Sequence, residues 1–365
     1  MSTTAFDIEA LKAILRLKAG LSPLNRLREI TVDFDKHICY LERLNRSCAA
    51  FGNALGVVTG RYGTGKTHFL LVSKRYAIEE GYSTAHLSQD TGLCSLGHPQ
   101  RHAMPLLSSL RVPPRNELLL EHLRYCIDDA PSFRVFCDQL HEIDKENSSV
   151  SEIARKALEY SRLHPSMRQS SLYWYLSGAR LVSMTATPNA RLQAYNLLQF
   201  WVTYCTRFLN CRGLMILVDE VEKLFDLSPI SRRAAYRTLA YYAGSVQPCV
   251  LVCALTPHAW ELLISEIKEE SEIVLGYATL LGKENIRHFC SAIQTTNPHE
   301  VSRLNRNDYL GLMERLKRLH SQARGYSEDR NGAQLECPPI SPEMTPRIFA
   351  RSIISSLEAS WADSR

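Results

Sequence analysis

The segment GRYGTGKT, residues 60–67, places three glycines before a lysine and a threonine. Without a Cβ, glycine lets backbone N–H groups turn inward around a phosphate, and a following helix adds its positive N-terminal end. Lys66 can then reach the β- and γ-phosphates, and the Thr67 hydroxyl can bind Mg²⁺. An ordinary glycine turn would not explain Lys-Thr at this position. The predicted phosphate-binding residues are Gly60, Arg61, Tyr62, Gly63, Thr64, Gly65, Lys66, Thr67 and His68.

A second set of candidates follows the apolar run at residues 214–218, which predicts a buried strand of a parallel sheet. Asp219 closes this run, and its carboxylate would hold the water shell of Mg²⁺ in a nucleotide site. Glu220 would orient or deprotonate the attacking water, and an adjacent Asp-Glu pair is typical of a hydrolase. Alternatively, Asp219 caps the next helix, but the glycine loop favours the catalytic interpretation.

Two further residues could contact the γ-phosphate. Thr256 ends another apolar strand, where parallel sheets bind ligands, so it could hold the attacking water. Capping of the helix that starts at Pro257 is an equal alternative for Thr256. Arg347 is the second residue of a closing helix and could neutralise charge that develops during phosphoryl transfer, although a surface arginine is the alternative. Thr345 and Pro346 have the residue types of an N-cap and a first helical position.

Hydrophobic periodicity predicts the elements that position these residues. NALGVVTG is typical of a short buried strand, a helix follows the glycine loop and ends at Gly81, and STAHLSQ is typical of the next strand. A strand, a helix and a strand in this order predict a parallel sheet. Residues 98–210 are mostly helical in pattern and are interrupted by prolines. We therefore expect an α/β protein with a large helical insertion.

Composition is that of a globular protein with one large domain or two ordinary ones, at 45% apolar and 22% charged residues. No apolar stretch could span a bilayer, and the N-terminus lacks the basic region of a secretory signal, so we expect a cytoplasmic protein without membrane contact. The eleven cysteines are scattered, as in a reducing compartment. Cys94, His98 and His102 recur every four residues, but Pro99 interrupts the helix that would align them on a metal.

Four motifs in this order resemble those of AAA+ ATPases: GRYGTGKT, LVDE, the strand before Thr256, and TPRIFARSI. They correspond to Walker A, Walker B, sensor 1 and sensor 2. The resemblance is closest to the branch near origin-recognition initiators. Within it, the chain is similar to the ATP-binding proteins of BREX phage defence (BrxD-like). This similarity rests on the stretches LKAILRLKAGLSP, LGHPQRHAMPLLSSLRVP, YWYLSG and CRGLMILVDEVEKL.

The resemblance implies an AAA+ type P-loop NTPase with a parallel five-stranded sheet in the order 5-1-4-3-2. It also implies a large helical insertion and a C-terminal helical lid. We expect an N-terminal helical segment at 1–50, the α/β core at 51–300 with the insertion at about 98–205, and the lid at 301–365. No winged-helix domain is expected after the lid, which argues against direct binding to an origin.

AAA+ proteins supply an arginine finger from a neighbouring subunit. Arg287 is the first candidate in this chain because it precedes the predicted strand HEVSRL, as the finger does in the initiator branch. Arg232, Arg233 and Arg303 are the other candidates. The resemblance therefore implies a homo-oligomer with ATP bound between subunits.

The resemblance and the residues together predict an ATPase that uses ATP and Mg²⁺ to drive assembly of a DNA-associated complex, within anti-phage defence. Expected partners are double-stranded DNA and other proteins of the system, and the net charge of +5 permits DNA contact. A transposition regulator of the TnsC or TniB type is a second hypothesis. A scaffold that binds ATP without turnover is a third.

Overall fold

The computed structural model describes residues 7–89, 96–114, 116–146, 148–185, 187–276, 283–326, 337–341 and 343–363. Cys94 lies outside the described residues. The helices are α1 (Ile8–Lys18), α2 (Leu27–Ile30), α3 (Phe34–Phe51), α4 (Lys66–Glu79), α5 (Pro99–Ser109), α6 (Leu119–Asp128), α7 (Ala130–Asp144), α8 (Ser149–Ser161), α9 (Pro165–Leu176), α10 (Ala179–Val182), α11 (Pro188–Phe208), α12 (Pro229–Gly244), α13 (Pro257–Gly276), α14 (Lys283–Thr295), α15 (Arg306–Arg324) and α16 (Pro346–Asp363). The strands are β1 (Asn53–Thr59), β2 (Ser83–Ser88), β3 (Arg111–Val112), β4 (Glu117–Leu118), β5 (Leu214–Asp219), β6 (Cys249–Leu255) and β7 (His299–Glu300), and a 3₁₀ helix covers Val221–Asp226.

The strands form a mixed sheet, which has seven strands in the described parts of the chain, in the order β4-β3-β2-β5-β6-β1-β7. β1, β6, β5 and β2 pair in parallel, whereas β3 pairs antiparallel with both β2 and β4. The prediction of a five-stranded, entirely parallel sheet is therefore wrong. The two added strands span two residues each, and hydrophobic periodicity does not detect elements so short. Counted among themselves, the other five strands lie in the order 5-1-4-3-2.

The central strands are aliphatic and inaccessible to water. Every residue of β5 and of β6 is buried, as a parallel strand covered on both faces requires. The strands align so that Thr59 pairs with Leu255 and Asp219 pairs with Ser88 at their carboxyl ends. Asp219 ends β5 and Thr256 follows β6, so both residues lie at the same edge of the sheet.

Contacts divide the chain into two compact units. The first contains residues 1–40, 60–72 and 300–365, and the second contains residues 41–59 and 73–299. The glycine loop thus belongs to the unit that also contains α15 and α16. The three-part division at residues 50 and 300 stays a prediction.

The first unit has its own apolar core, built by α1, α15 and α16. Ile14, Leu316 and Phe349 are fully buried in it. Tyr309 packs against Phe349 with ring centroids 4.7 Å apart, and its hydroxyl donates to the Met344 carbonyl at 2.8 Å. These contacts fix the chain just before α16, where Arg347 lies.

A polar network also joins α15 to α16. His320 is fully buried; its Nδ1 lies 2.7 Å from Tyr326 Oη, and its Nε2 lies 2.8 Å from Glu358 Oε1. Glu358 also accepts from Arg324 at 2.6–2.9 Å. Every charge in the network thus has a hydrogen-bonded partner, as a buried charge requires.

The second unit carries the predicted insertion, which spans α5 to α11 and the strands β3 and β4. Its core is aromatic: Phe136, Phe200, Trp201 and Tyr204 are all buried. The Trp201 indole donates to the Leu176 carbonyl at 2.8 Å, so its polar atom is satisfied. Within the described ranges, no helix has both the length and the apolar character that crossing a bilayer requires.

Candidate nucleotide site

The glycine loop connects the end of β1 to the start of α4, as the sequence predicts for a phosphate-binding turn. Gly63 and Gly65 have φ angles of +78° and +115°. Residues with a Cβ avoid this region of backbone space, so the loop needs glycine at both positions. α4 begins at Lys66, which leaves its first N–H groups pointing out of the helix end.

Neighbouring atoms approach this loop closely. A Cβ at Gly60 would lie 2.8 Å from the Val301 carbonyl oxygen, and a Cβ at Gly63 would lie 2.7 Å from Thr345 Cγ2. Real Cβ atoms essentially never come so near, so any side chain at Gly63 would displace the loop or Thr345. The loop is therefore packed into the unit that contains α15 and α16.

Two side chains of the glycine loop donate hydrogen bonds to carbonyl groups of the loop itself. Lys66 is only 8% exposed, and its ammonium group donates to the Gly60 carbonyl at 3.0 Å. The Thr64 hydroxyl donates to the Arg61 carbonyl at 2.9 Å, while Thr67 is exposed. The Lys66 ammonium group thus lies against the backbone of the loop that would bind the phosphate.

The His68 side chain forms a hydrogen bond with Thr31. Its Nε2 lies 2.8 Å from the Thr31 hydroxyl, which itself donates to the Leu27 carbonyl at 2.6 Å. Since that hydroxyl has one hydrogen, it accepts from His68, and Nε2 carries the proton. Burial lowers the pKa of His68 to about 4, and His37 adds to the shift, so the ring is neutral at neutral pH.

Thr31 is a residue that sequence reasoning missed. Its carbonyl accepts from Arg315 of α15 at 3.3 Å, so one residue contacts both α4 and α15. No local motif could have identified Thr31, because both contacts join distant parts of the sequence.

The start of α16 lies against the glycine loop through the contact between Thr345 and Gly63. The Thr345 hydroxyl accepts from the Ile348 N–H at 3.3 Å, which confirms the predicted N-cap, and Pro346 is the first helical residue. Arg347 comes next and is exposed. The structure therefore brings the sensor 2 candidate to the same part of the first unit as the loop.

In the second unit, Asp219 is the last residue of β5 and Glu220 follows it directly. Asp219 is 5% exposed, and its Oδ1 accepts from the Glu220 N–H at 2.9 Å. Glu220 has φ +58°, a left-handed conformation that costs energy for a residue with a side chain. Such strain clusters at functional sites. Glu220, and not Asp219, occupies the N-cap position of the 3₁₀ helix that follows.

Thr256 follows β6 and caps α13. Its hydroxyl oxygen accepts from the Ala259 N–H at 3.3 Å, and its carbonyl accepts from Trp260 at 3.0 Å. The capping alternative is therefore what the structure contains. An accepting hydroxyl keeps its hydrogen for a second bond, so capping and phosphate contact are compatible.

The arginine finger candidates differ in environment. Arg232 forms a two-pronged bond with Glu266 at 2.7–2.8 Å, and both side chains are 16% exposed. Arg233 is half-buried, whereas Arg287 and Arg303 are exposed. Arg232 would have to abandon a shielded partner to act on a neighbouring subunit, which leaves the exposed candidates as the better ones.

Comparison with known families adds one finding. Residues 8–116 match the family described as BREX system ATP-binding protein BrxC/D. The match confirms the resemblance to the BrxD-like proteins. It contains the whole glycine loop but not Asp219, Thr256 or Arg347. No curated protein and no solved structure matches the chain significantly.

Proposed function

We propose that this chain binds ATP with Mg²⁺ and hydrolyses it. The observation that carries the proposal is the glycine loop, whose φ angles and close neighbours admit only glycine, followed at once by Lys66 and Thr67. A loop of this kind at a helix start offers N–H groups to an anion. The BrxC/D family match over the same residues supports ATP as that anion.

The chain has suitable ligands for the expected metal. The Thr67 hydroxyl and the Asp219 carboxylate are hard oxygen donors, which Mg²⁺ prefers. Asp219 is held in place by the Glu220 N–H. When bound, Mg²⁺ would neutralise charge on the β- and γ-phosphates.

We assign the remaining roles as follows. Lys66 would bind the β- and γ-phosphates, and Glu220 would take a proton from the attacking water. Thr256 would donate its hydroxyl hydrogen to the γ-phosphate or to that water. Arg347, on the helix that contacts Gly63, would neutralise charge developing on the γ-phosphate. In an oligomer, Arg287 of a neighbouring subunit is our first candidate for the finger.

The biological role that we propose is ATP-dependent assembly of a DNA-associated complex in BREX-like anti-phage defence, in the cytoplasm. The family match supports the defence context. The family match does not bear on oligomerisation, on double-stranded DNA or on partner proteins, and we add these three to the proposal ourselves.

Binding is tested with a fluorescent ATP analogue and the variant Lys66→Ala. We expect affinity to fall at least about tenfold, because the lysine's charge-assisted bonds to phosphate are lost. Arg75→Ala is the matched control, since Arg75 lies on the same helix but pairs with Glu79 at 2.5 Å. Equal affinity in the wild type and Lys66→Ala would exclude the loop as the nucleotide site.

Hydrolysis is tested with Glu220→Gln, which keeps the side-chain shape but removes the base. We expect retained ATP binding, loss of phosphate release and a more persistent ATP-bound oligomer. Wild-type protein that assembles with ATP but releases no phosphate would favour a scaffold instead. A transposase gene beside this one, in place of a methyltransferase gene, would favour the transposition hypothesis.

A further inference from the structure

The second unit contains a long stretch without acidic residues. Residues 160–218 include no Asp and no Glu, although the chain has 38 such residues in 365. The stretch covers α9, α10 and α11. Its arginines are Arg162, Arg168, Arg180, Arg191, Arg207 and Arg212.

The link between α10 and α11 exposes neutral side chains that can form hydrogen bonds. Ser183, Thr185, Thr187 and Asn189 are all exposed. Side chains of this kind, together with arginines, are the usual contacts to phosphate oxygens of nucleic acids. This link therefore offers hydrogen-bond donors and has no carboxylate of its own to repel a polyanion.

Arg191 lies close to the start of α5. Pro99 and Tyr195 line one small cavity between α5 and α11, and Arg191 lies one helical turn before Tyr195. Burial lowers the pKa of His98, and the charges of Arg101 and Arg191 lower it further, which places both arginines within electrostatic reach of His98. The cluster of positive charge is thus shared by two helices.

Among the residues that the structure describes, no carboxylate forms an ion pair with Arg101 or Arg191. Neither α5 nor α11 has an acidic residue in its first turn, so the positive ends of both helices add to the cluster. By contrast, Arg155 on α8 pairs with Asp144 at 3.2 Å.

We propose that Arg101 and Arg191, with the exposed side chains of Ser183, Thr185, Thr187 and Asn189, form a surface that binds the phosphate backbone of duplex DNA. We call it the α5–α11 basic surface. The inference rests on the DNA partner of the proposed function and names where that partner binds. We expect binding to be independent of base sequence, because arginine charge and exposed hydroxyl groups suit the phosphate oxygens that every sequence shares.

The test is DNA binding by the full chain with ATP and Mg²⁺ present. Binding is measured by fluorescence anisotropy with a duplex of about 30 base pairs and mixed sequence. Each lost phosphate contact is worth roughly eightfold at 0.1 M salt, since affinity varies with salt to a power of about −0.9 per contact. We expect Arg101→Ala/Arg191→Ala to weaken binding by roughly 10–60-fold and to reduce the salt slope by about 2. Arg155→Ala should change neither quantity.

The outcomes separate this inference from the proposed function. A double variant that binds duplex as the wild type does would overturn the α5–α11 basic surface and leave a DNA-binding ATPase intact. Wild-type protein that binds the ATP analogue but no duplex at low salt would overturn both the surface and the DNA part of the proposed function. Tighter binding to a single strand of the same length than to duplex would refute the stated ligand. Unchanged ATP affinity in the double variant shows that the fold survives.

Discussion

Replacing Gly63 by alanine tests whether the glycine loop is packed against α16. Gly63 combines a left-handed φ of +78° with a neighbour, Thr345 Cγ2, that would lie 2.7 Å from an added Cβ. The substitution therefore carries two separate costs. Gly20 allows the backbone cost to be measured alone, and Gly311 has neither feature.

The magnitudes follow from these two features. A left-handed alanine costs about 1–2 kcal/mol relative to glycine. Forcing an extra methyl group into a packed contact adds about 1–3 kcal/mol. Gly63→Ala should therefore lower the free energy of unfolding by about 2–5 kcal/mol, and weaken ATP binding because the loop must move.

Two matched controls separate the terms. Gly20 also has a left-handed φ of +72°, but nothing lies within 4 Å of its added Cβ, so Gly20→Ala should cost only about 1–2 kcal/mol. Gly311 lies inside α15 with open space around it, so Gly311→Ala should stabilise the helix by about 0.5–1 kcal/mol.

The assay is urea unfolding of the full chain, followed by circular dichroism, in parallel with titration of a fluorescent ATP analogue. Thr345→Ser removes Cγ2 but keeps the capping hydroxyl. In Gly63→Ala it should restore at least about 1 kcal/mol, a coupling measured by the double-mutant cycle. If Gly63→Ala costs no more than Gly20→Ala, or if Thr345→Ser rescues nothing, the packed contact is refuted.

Three further predictions follow from the same structure. The pKa of His68 is about 4 in the folded chain and 6.5 in the unfolded chain, so the unfolded state binds the proton more tightly. The free energy of unfolding should therefore fall by up to about 3 kcal/mol as the pH drops from 6.5 to 4. His68→Gln should abolish this fall in urea titrations. Burial raises the pKa of Glu358, but bonds from Arg324 and His320 outweigh it, so the pKa is lowered overall; the carboxylate stabilises the fold above about pH 4.5, and Glu358→Gln should cost about 1–3 kcal/mol at pH 7 but little at pH 3. Arg232→Ala should destabilise the chain by about 3 kcal/mol, because Glu266 loses the opposite charge of Arg232 and keeps only the bond from the Tyr236 hydroxyl among those described. Arg287→Ala should instead lower ATP turnover about 1,000-fold without changing the free energy of unfolding. The reverse pattern would make Arg232 the finger.

Local sequence rules predicted the elements whose determinants are local. The Thr345 N-cap, the helix after the glycine loop and the fully buried strand β5 all match the structure. Each depends on residue types within a few positions, such as a hydroxyl before a proline or an unbroken aliphatic run. The assigned roles of Lys66 and Asp219 in ATP hydrolysis stay predictions.

Features that depend on distant residues could not be predicted in the same way. The strands β3 and β4 exist because they pair with each other and because β3 pairs with β2, not because of any alternating pattern. Local chemistry supports a catalytic and a capping role of Thr256 equally, and only the bond from the Ala259 N–H shows that Thr256 caps α13. Arg232 has the same local chemistry as Arg233, and only the position of Glu266, on α13, distinguishes them.

The contacts of the glycine loop bear on how a bound phosphate could affect α15 and α16. Gly60 lies against Val301, Gly63 lies against Thr345, and His68 bonds to Thr31, whose carbonyl accepts from α15. Each contact connects the loop, or the helix that follows it, to a segment of the same compact unit. A shift of the loop on phosphate binding would therefore be resisted by packed neighbours rather than by water, and packed contacts respond to such strain by moving together. Thr31→Val keeps the side-chain volume but removes the hydroxyl, so it should weaken this coupling: the ATP-induced protection of α15 in hydrogen exchange should fall, while ATP affinity changes less than threefold. Unchanged protection of α15 in that variant would place the coupling at the contacts of Gly60 and Gly63.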